Sequence, residues 1–315
     1  MTAIIGHDTP DQRSDRPGPR AVPPAPRPRR RLNIAGGIGH VFLAVWALMI
    51  IVPLIWVFLA SFKNTTEIFS APWTVPDHLR WENWGRAWNK ANVGRYVLNS
   101  AFVVTVATAG TMLLSSMAAY VLARYKFAGN RLIYFLFVAG IAFPPFLAVV
   151  PLFFQVKQIG DHVPAIGPYF GLNSYGGLIV VYIAYSLPFT IFFLTAFFRS
   201  LPNSVAEAAT IDGASHTRLF FSIMLPMAKP GLISLTIFNL IGQWGQYLLP
   251  LLLMAGAKDK WVLTQGIQDI STAAGYEADW SGLFAALSIS ILPMIVMYVI
   301  FQRQIQAGLT AGALK

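Results

Sequence analysis

The chain has 315 residues, of which 56% are hydrophobic and 11% charged, with a formal net charge of +10 and no cysteine. Soluble domains carry about 25% charged residues, so this composition excludes a soluble globular protein and indicates a chain that crosses a membrane several times. The lack of cysteine excludes disulfides, thiolate metal sites and a cysteine nucleophile.

Residues 1–31 form a predicted disordered tail. They hold seven prolines and seven arginines and almost no large apolar side chains, so they cannot bury enough apolar surface to fold. Four of the arginines lie at 27–31, directly before the first apolar stretch. We predict a basic cytoplasmic tail that sets membrane topology, followed by a transmembrane domain over 32–315. A Pro-rich peptide ligand and a nucleic-acid-binding arm are the alternatives for the tail.

Six apolar stretches follow, each long enough to cross a hydrocarbon core about 30 Å thick. They lie at about 35–62, 96–122, 132–154, 176–198, 232–255 and 283–301. An even number of spans places both termini on one side of the membrane. That side carries 15 of the 23 Lys and Arg residues and the other side carries 8, so the positive-inside rule predicts that both termini are cytoplasmic.

The third apolar stretch contains Pro144, Pro145 and Pro151. Proline removes a backbone donor and kinks a helix, which a membrane tolerates only where protein or a water-lined cavity satisfies the freed carbonyls. We predict a bend near a pathway, with a simple packing kink as the alternative.

A polar interruption at 200–231 separates the fourth and fifth stretches. Ser204 and Glu207 have the spacing of a capping box, which predicts the start of a short helix. Gly213 is predicted to end that helix, because glycine adopts a positive φ without steric cost, and Ser215 to cap a second helix. We therefore predict a helix-turn-helix outside the membrane. On spacing alone, a capped connector explains the pattern equally well.

The residues of this segment resemble the EAA loop of ABC-importer permeases. The matching residues are Glu207, Ala208, Ala209, Asp212, Gly213, Ala214, Phe220, Ile223, Leu225, Pro226 and Pro230. The resemblance implies a coupling helix that docks in a groove of a cytoplasmic ATPase, where Glu207 meets a basic residue and Gly213 forms the turn. Val205, Ala208 and Ala209 also recur at helical spacing and predict a small, smooth apolar face.

An uncharged polar stripe marks the fifth stretch. Asn239, Gln243 and Gln246 are spaced i, i+4, i+7, and Trp244 and Tyr247 lie beside them. One interpretation is hydrogen bonding between helices. The other is the wall of a translocation pathway, in which amides bind sugar hydroxyls and aromatic rings cover apolar ring faces. Such a lining suits an uncharged solute.

Several kinds of chemistry are missing from the sequence. No predicted span has an ionisable residue in its interior except His40 near the start of the first, which argues against a carrier driven by an ion gradient. The chain also has no phosphate-binding GxxxxGK[ST] loop, no HExxH and no GxSxG. We expect no catalytic residue, cofactor or metal in this chain, so the energy source has to be another chain.

After residue 31, nearly the whole chain resembles a maltose-type carbohydrate ABC-importer permease, in particular the smaller six-span subunit. Further matching residues are Trp244, Tyr247, Leu248, Leu249, Pro250, Asp279, Trp280 and the run Gly308 to Ala313. The resemblance implies an all-α integral membrane protein with six transmembrane helices, a cytoplasmic EAA helix-turn-helix and the ABC importer type I permease fold. It also implies a bacterial cell membrane and import of a di- or oligosaccharide or an N-acetylated sugar.

The same resemblance implies the partners of the chain. They are a sister permease, two copies of a cytoplasmic ATPase that hold ATP and Mg²⁺, an external sugar-binding protein, the carbohydrate and membrane lipid, but no nucleic acid. The stretch 272–280 is expected to enter the binding-protein cleft, and the cytoplasmic tail 302–315 to reach the ATPase.

One motif departs from the family pattern. The fifth stretch reads Trp244-Gly245-Gln246-Tyr247, where the family usually has Trp-Asn-acidic-aromatic, which weakens the transfer of sugar contacts to this subunit. A stand-alone channel or secondary carrier for a neutral solute is the alternative function.

Overall fold

The structure, a computed structural model, describes residues 34–163, 165–277 and 279–313. Within these ranges the regular secondary structure is entirely helical and contains no β-strand, so the predicted all-α class is confirmed. The predicted disordered tail at 1–31 lies outside the described residues.

The chain divides into two compact units, Met1–Ile51 and Val52–Lys315. Helix α1 (Ile34–Ala60) begins in the first unit and ends in the second. In the first unit, the side chains from Gly39 onward are exposed. All of the packing described below lies within the second unit.

The second unit is built from helices of very different lengths. In chain order they are α2 (Thr65–Ser70), α3 (Trp81–Gly85), α4 (Val93–Arg124), α5 (Asn130–Ala142), α6 (Pro145–His162), α7 (Gly167–Phe170), α8 (Tyr175–Ser200), α9 (Asn203–Ile211), α10 (His216–Met227), α11 (Lys229–Trp244), α12 (Leu248–Leu253), α13 (Leu263–Glu277) and α14 (Trp280–Ala313). A π-helical turn, Arg86–Lys90, follows α3, and α10 is π-helical over Leu219–Met224.

The number of membrane spans depends on how two bent pairs are counted. Helices α1, α4, α8 and α14 are each long and apolar enough to cross a membrane. The pairs α5–α6 and α10–α11 also pass when each is taken together, which brings the number to as many as six. By length and composition, the described chain is therefore a multi-pass membrane protein with four to six spans.

The third predicted span is broken rather than kinked. The axes of Asn130–Ala142 and Phe146–His162 differ by 109°. Phe143 and Pro144 between them have extended backbone, with ψ of 120° and 121°, as expected for residues that precede proline. The predicted bend is therefore present, and two adjacent prolines separate two helices within the predicted span 132–154. Taken together, the two helices still pass as one broken span.

The fifth predicted span, 232–255, is also not one helix. Helix α11 ends at Trp244, the chain turns at Gly245, and α12 begins at Leu248. At its other end, α11 meets α10 at an angle of 75°. The continuous prediction fails because Gly245 ends the helix in a sequence that remains apolar on both sides.

Two segments outside the predicted spans are helical. The stretch 256–282 contains α13, in which Leu263 is buried and its N–H donates to Ser100 Oγ at 2.7 Å. The predicted tail at 302–315 continues α14 through Ala313. In α13, packing against the bundle outweighs the polar composition of the segment.

Helices α4 and α8 form the centre of the second unit. They pack along much of their length, with Ala107 and Tyr182 buried between them. Close approach depends on small residues. A Cβ at Gly110 would lie 2.6 Å from Ile183 Cδ1, so a larger residue at this position would require the end of the Ile183 side chain to move.

A buried lysine organises the chain after α1. Lys63 is 1% exposed, and its Nζ donates to the carbonyl oxygens of Ala71 at 2.8 Å and Pro72 at 3.3 Å and to Thr74 Oγ1 at 3.2 Å. A buried ammonium group is costly unless it is fully hydrogen-bonded, so the 71–74 loop wraps around it. Sequence analysis counted this residue only towards the topology charge.

Replacing Lys63 by methionine is expected to destabilise the protein by about 1–3 kcal/mol, because the 71–74 loop loses the three hydrogen bonds that the buried amine donates to it. The measurement is thermal unfolding of the protein purified in detergent. Lys90→Met, at an exposed lysine, is the matched control and should unfold at the wild-type temperature. Unchanged unfolding of Lys63→Met would contradict the structural role of the amine.

Candidate functional site

The first candidate region is the elbow, which we define as residues 200–231. It connects α8 to α11 through α9 and α10. Arg124, the last residue of α4, fixes its start: Nη2 donates to the carbonyl oxygen of Leu201 at 2.7 Å, and Nη1 donates to Asn203 Oδ1. The elbow is therefore attached to α4 as well as to the helices on either side of it.

Helix α9 has one face turned towards the body of the protein. Ala209 is buried and Ala206 half-buried, and both pack on a cluster that includes Tyr120, Phe198 and Phe220. Because these rings come from α4, α8 and α10, α9 is seated on the chain's own core along this face.

The opposite face of α9 is free of contacts. Glu207 and Ala208 are exposed, and Ile211 has 86% of its surface exposed. Glu207 forms no hydrogen bond or ion pair with any residue that the structure describes. This face of α9 is therefore open in the described chain.

The structure divides the six predicted coupling residues between these faces. Glu207, Ala208, Asp212 and Gly213 are exposed, whereas Ala209 is buried and Ala214 half-buried. The predicted apolar face of Val205, Ala208 and Ala209 is therefore wrong as a single surface, because Ala209 faces inward.

The turn between α9 and α10 agrees with the prediction at both of its marker residues. Gly213 has a φ of +79°, which confirms the predicted helix end. Ser215 Oγ accepts a hydrogen bond from the N–H of Arg218 at 3.3 Å, which confirms the predicted cap. Tyr125 Oη lies 2.9 Å from His216 Nδ1, so the loop after α4 also holds the start of α10.

The predicted capping box is wrong. Helix α9 begins at Asn203 after Pro202, and no side chain caps it. Proline has its φ fixed near the helical value, and the Asn203 side chain accepts from Arg124 instead of capping the helix. Ser204 consequently lies inside the first turn, where it is exposed.

The second candidate region is a cavity of 490 Å³ between α8, α11 and the α5–α6 break, which we call the central cavity. None of the residues that line it is Asp, Glu, Lys, Arg or His. Aromatic rings and neutral polar groups are both present, among them Phe143, Tyr185, Phe189, Phe238, Gln243 and Gln246. This size falls in the range of about 300–1,000 Å³ that is usual for small-molecule sites.

Two of the predicted pathway residues tie α11 to its neighbours. Gln243 Oε1 accepts from Thr108 Oγ1 on α4 at 3.1 Å, and its Nε2 donates to Ser186 Oγ on α8 at 3.0 Å. Asn239 Nδ2 donates to Thr190 Oγ1 on α8 at 3.0 Å. Both amides are buried, and both also line the central cavity. The predicted hydrogen bonding between helices is therefore present, and the same two residues also line a cavity.

The other three predicted pathway residues lie apart from one another. Gln246 follows the end of α11 and lines the central cavity. Trp244 is buried, and its Nε1 donates to the carbonyl oxygen of Ser290 on α14 at 3.3 Å. Tyr247 is half-buried and does not line the cavity. The helical spacing that placed these residues together ends at Gly245.

Sequence analysis missed the aromatic wall that α8 contributes. Tyr182, Tyr185 and Phe189 line the central cavity and are spaced i, i+3, i+7 in the fourth apolar stretch. This spacing was available in the sequence. However, aromatic residues at helical spacing in a membrane span face lipid just as often as a cavity, so the pattern alone does not choose.

Two partly exposed ion pairs lie among the segments around α13 and the start of α14. Arg86 Nη2 lies 3.3 Å from Asp279 Oδ1, and Lys258 Nζ lies 2.7 Å from Asp269 Oδ2. The hydrogen bond to Asp269 raises the pKa of Lys258. The predicted binding-protein stretch at 272–280 starts within α13 rather than in an open loop, so any partner would meet a helix there.

Comparison with known proteins identifies relatives over most of the chain. Residues 111–310 match the family described as "Binding-protein-dependent transport system inner membrane component". The diacetylchitobiose uptake system permease protein of Streptomyces coelicolor is 48% identical over 88% of this chain and 88% of its own length. The trehalose transport system permease protein of Mycobacterium tuberculosis is 31% identical over 84% of this chain and 92% of its own.

A solved structure shares the fold. It is a chain of a bacterial ABC transporter involved in the import of the acidic polysaccharide alginate, with a TM-score of 0.73 and 20% sequence identity. The match covers 89% of this chain and 99% of the other.

Arg124→Met is expected to loosen the elbow, because the donors to Leu201 and Asn203 are lost. Limited proteolysis in native membranes should cleave within 200–231 about three- to tenfold faster, as expected for one or two lost hydrogen bonds. Lys126→Met, at an exposed neighbour, is the control and should be cleaved at the wild-type rate. Equal rates for both variants would contradict the attachment to α4.

Gln243→Leu is expected to destabilise the protein by about 1–3 kcal/mol, because the buried hydroxyls of Thr108 and Ser186 lose their partner. Thermal unfolding in detergent measures the loss. Gln246→Leu is the matched control, since the structure shows no side-chain hydrogen bond to that residue within the described chain. The bonding role of Gln243 is disproved if the two variants unfold alike.

Proposed function

Because this chain belongs to the family of binding-protein-dependent transport system inner membrane components, we propose that it is the transmembrane permease subunit of an ATP-driven carbohydrate importer. It forms half of the translocation pathway and couples that pathway to a separate cytoplasmic ATPase. The observation that carries the proposal is the 48% identity, over 88% of both chains, to a diacetylchitobiose uptake permease.

A carbohydrate is the substrate class that the relatives and the central cavity both support. The relatives are named for diacetylchitobiose, trehalose and other sugars. The described lining of the cavity has no charged residue and several aromatic rings, which suits a neutral solute with apolar ring faces. Within this class we assign a di- or oligosaccharide, and an N-acetylated disaccharide is the first candidate to test.

The energy comes from a partner chain. The sequence has no phosphate-binding loop, so ATP and Mg²⁺ belong to the cytoplasmic ATPase and this subunit is not itself an enzyme. The complex contains this chain, a sister permease, two ATPase copies and an external sugar-binding protein.

The elbow is the contact with the ATPase. Its exposed face presents the Ile211 side chain and the unpaired Glu207 carboxylate, which fit an apolar groove beside a basic residue. Its inner face, through Ala209, rests on rings from α4, α8 and α10. A force on the outer face therefore reaches the helices that line the central cavity.

The membrane orientation follows from charge. With each bent pair counted as one span, the chain crosses a bacterial cell membrane six times. The side richer in Lys and Arg, which includes the elbow and both termini, is cytoplasmic. Closure of the ATPase dimer then moves the elbow and switches the pathway between inward-open and outward-open states.

The direct test is transport by the reconstituted complex. Proteoliposomes that contain all four kinds of subunit should take up labelled N,N′-diacetylchitobiose only when ATP is present on the side of the membrane that the ATPase faces. Liposomes with this chain alone should take up none. Uptake by this chain alone would instead establish a stand-alone channel or secondary carrier.

Glu207→Arg and Gly213→Pro are each expected to uncouple ATP hydrolysis from uptake while leaving membrane insertion intact. The first reverses the charge on the exposed face, and the second cannot adopt the φ of +79°. The measurement is sugar-stimulated ATPase activity of the complex. Glu82→Arg, the same charge change on exposed α3, is the control and should behave as wild type. Normal stimulation in both elbow variants would remove the coupling role.

A further inference from the structure

The central cavity contains two kinds of polar side chain. The side-chain amides of Asn239 and Gln243 are hydrogen-bonded to α4 and α8. The distances to Thr190, Ser186 and Thr108 are 3.0–3.1 Å. A group already bonded in this way is a poor ligand, because binding a solute would first break a buried bond. These two residues act as a strut that fixes the wall.

Two further polar groups of the cavity are accessible and have no hydrogen-bond partner among the described residues. The hydroxyl of Tyr182 has no such partner either, but that residue is only 2% exposed. The described structure gives no hydrogen bond to the hydroxyl of Tyr185 or to the side-chain amide of Gln246, and both residues line the cavity. Tyr185 is 46% exposed and Gln246 half-buried. Between them they offer a phenol that donates and accepts and an amide with two donors and one acceptor.

The position of Gln246 is fixed although its side chain is free. Its backbone carbonyl accepts from Thr264 Oγ1 at 2.8 Å, and its N–H donates to the carbonyl oxygen of Gln243 at 3.3 Å. The residue is therefore held just beyond the end of α11, with only the side chain left to move. A ligand that uses this amide meets a backbone that is already in place.

The space between these groups is apolar and open. Phe189 and Phe238 line it, with ring centroids 6.4 Å apart. A Cβ added at Gly242, which also lines the cavity, would meet no atom within 4 Å. Glycine thus leaves room on the α11 wall between Phe238 and Gln246, which lie one turn to either side.

A ring with apolar faces and polar edges fits this arrangement. Aromatic side chains cover apolar C–H faces, and the few unpaired polar groups bind hydroxyls. A charged solute would have no counter-charge, because the described lining contains none. A lipid acyl chain would leave the Tyr185 and Gln246 groups unpaired.

We propose that the central cavity is a transient binding site for one neutral sugar ring, held by the Tyr185 hydroxyl and the Gln246 amide against Phe189 and Phe238. Asn239 and Gln243 support the site and do not touch the sugar. The inference rests on the proposed function, since it assigns sugar contact to this subunit within the importer.

The absence of native cysteine allows a direct occupancy measurement. Gly242→Cys places a single thiol in the open part of the cavity. The complex of this chain with its sister permease and ATPase, in nanodiscs without binding protein, is treated with N-ethylmaleimide. Increasing N,N′-diacetylchitobiose should slow labelling of this chain several-fold. Gly85→Cys, an exposed position with equal room for a Cβ, should label at one rate throughout.

Removal of the two contacts tests the assignment separately. Tyr185→Phe and Gln246→Leu should each lower the uptake rate by about two- to tenfold, the effect of one lost hydrogen bond, while the thermal unfolding temperature stays at the wild-type value. The sugar protection of Gly242→Cys should weaken in each double variant. Tyr298→Phe, at an exposed tyrosine outside the cavity, is the matched control.

Different results would disprove the proposed function and the proposed sugar site. If the wild-type complex takes up no disaccharide, the proposed substrate is wrong. If it takes up the sugar normally while labelling of Gly242→Cys is unaffected, and Tyr185→Phe and Gln246→Leu transport at the wild-type rate, the proposed function stands and the sugar site in this subunit is overturned. Labelling that is absent with and without sugar would show a cavity without water and would also overturn the site.

Discussion

The buried amides of Asn239 and Gln243 are the interaction on which the arrangement of the helices depends. A hydrocarbon core supplies no water, so each polar group there must find its partner within the protein. Gln243 bonds Thr108 on α4 and Ser186 on α8, and Asn239 bonds Thr190 one turn further along α8. Directional bonds therefore fix α11 against both neighbours near the middle of the bundle.

These hydrogen bonds join the two helices that the elbow connects. The elbow starts where α8 ends, at Ser200, and finishes where α11 starts, at Lys229, so the helices on either side of it are those that the amides join. In the proposed function, a partner on the exposed face of α9 and a solute in the central cavity would act on the same pair of helices. Two sites are coupled when ligands at both shift the equilibrium between two conformations of the same element. In the proposed importer, the pair of helices α8 and α11 is that element.

Local rules in the sequence predicted local structure well. Gly213 and Ser215 each occupy a position where one residue type determines the backbone or the cap, and both were placed correctly. Ser204 was misplaced because a competing local signal, Pro202, starts the helix earlier. Residue spacing could not predict that Ala208 is exposed and Ala209 buried, because only the rings packed beneath α9 distinguish its two faces.

The central cavity shows the same limit at longer range. The polar stripe was visible in one helix, but whether an amide bonds a neighbouring helix or a solute depends on residues more than 50 positions away, such as Ser186 for Gln243. Helix α13 was hidden for a similar reason. Its composition is that of a loop, and its structure comes from packing on α4 and α14.

The break at Pro144 bears on how the protein is made. Helix α5 has 13 residues and so measures about 20 Å, which is too short for a hydrocarbon core of about 30 Å. It packs mainly on α8, where Gly140 lies against Pro188 and Tyr134 stacks on Phe192 with ring centroids 6.4 Å apart. The main packing partner of this short helix therefore comes from a later part of the chain, so this part of the fold is complete only once α8 is in place.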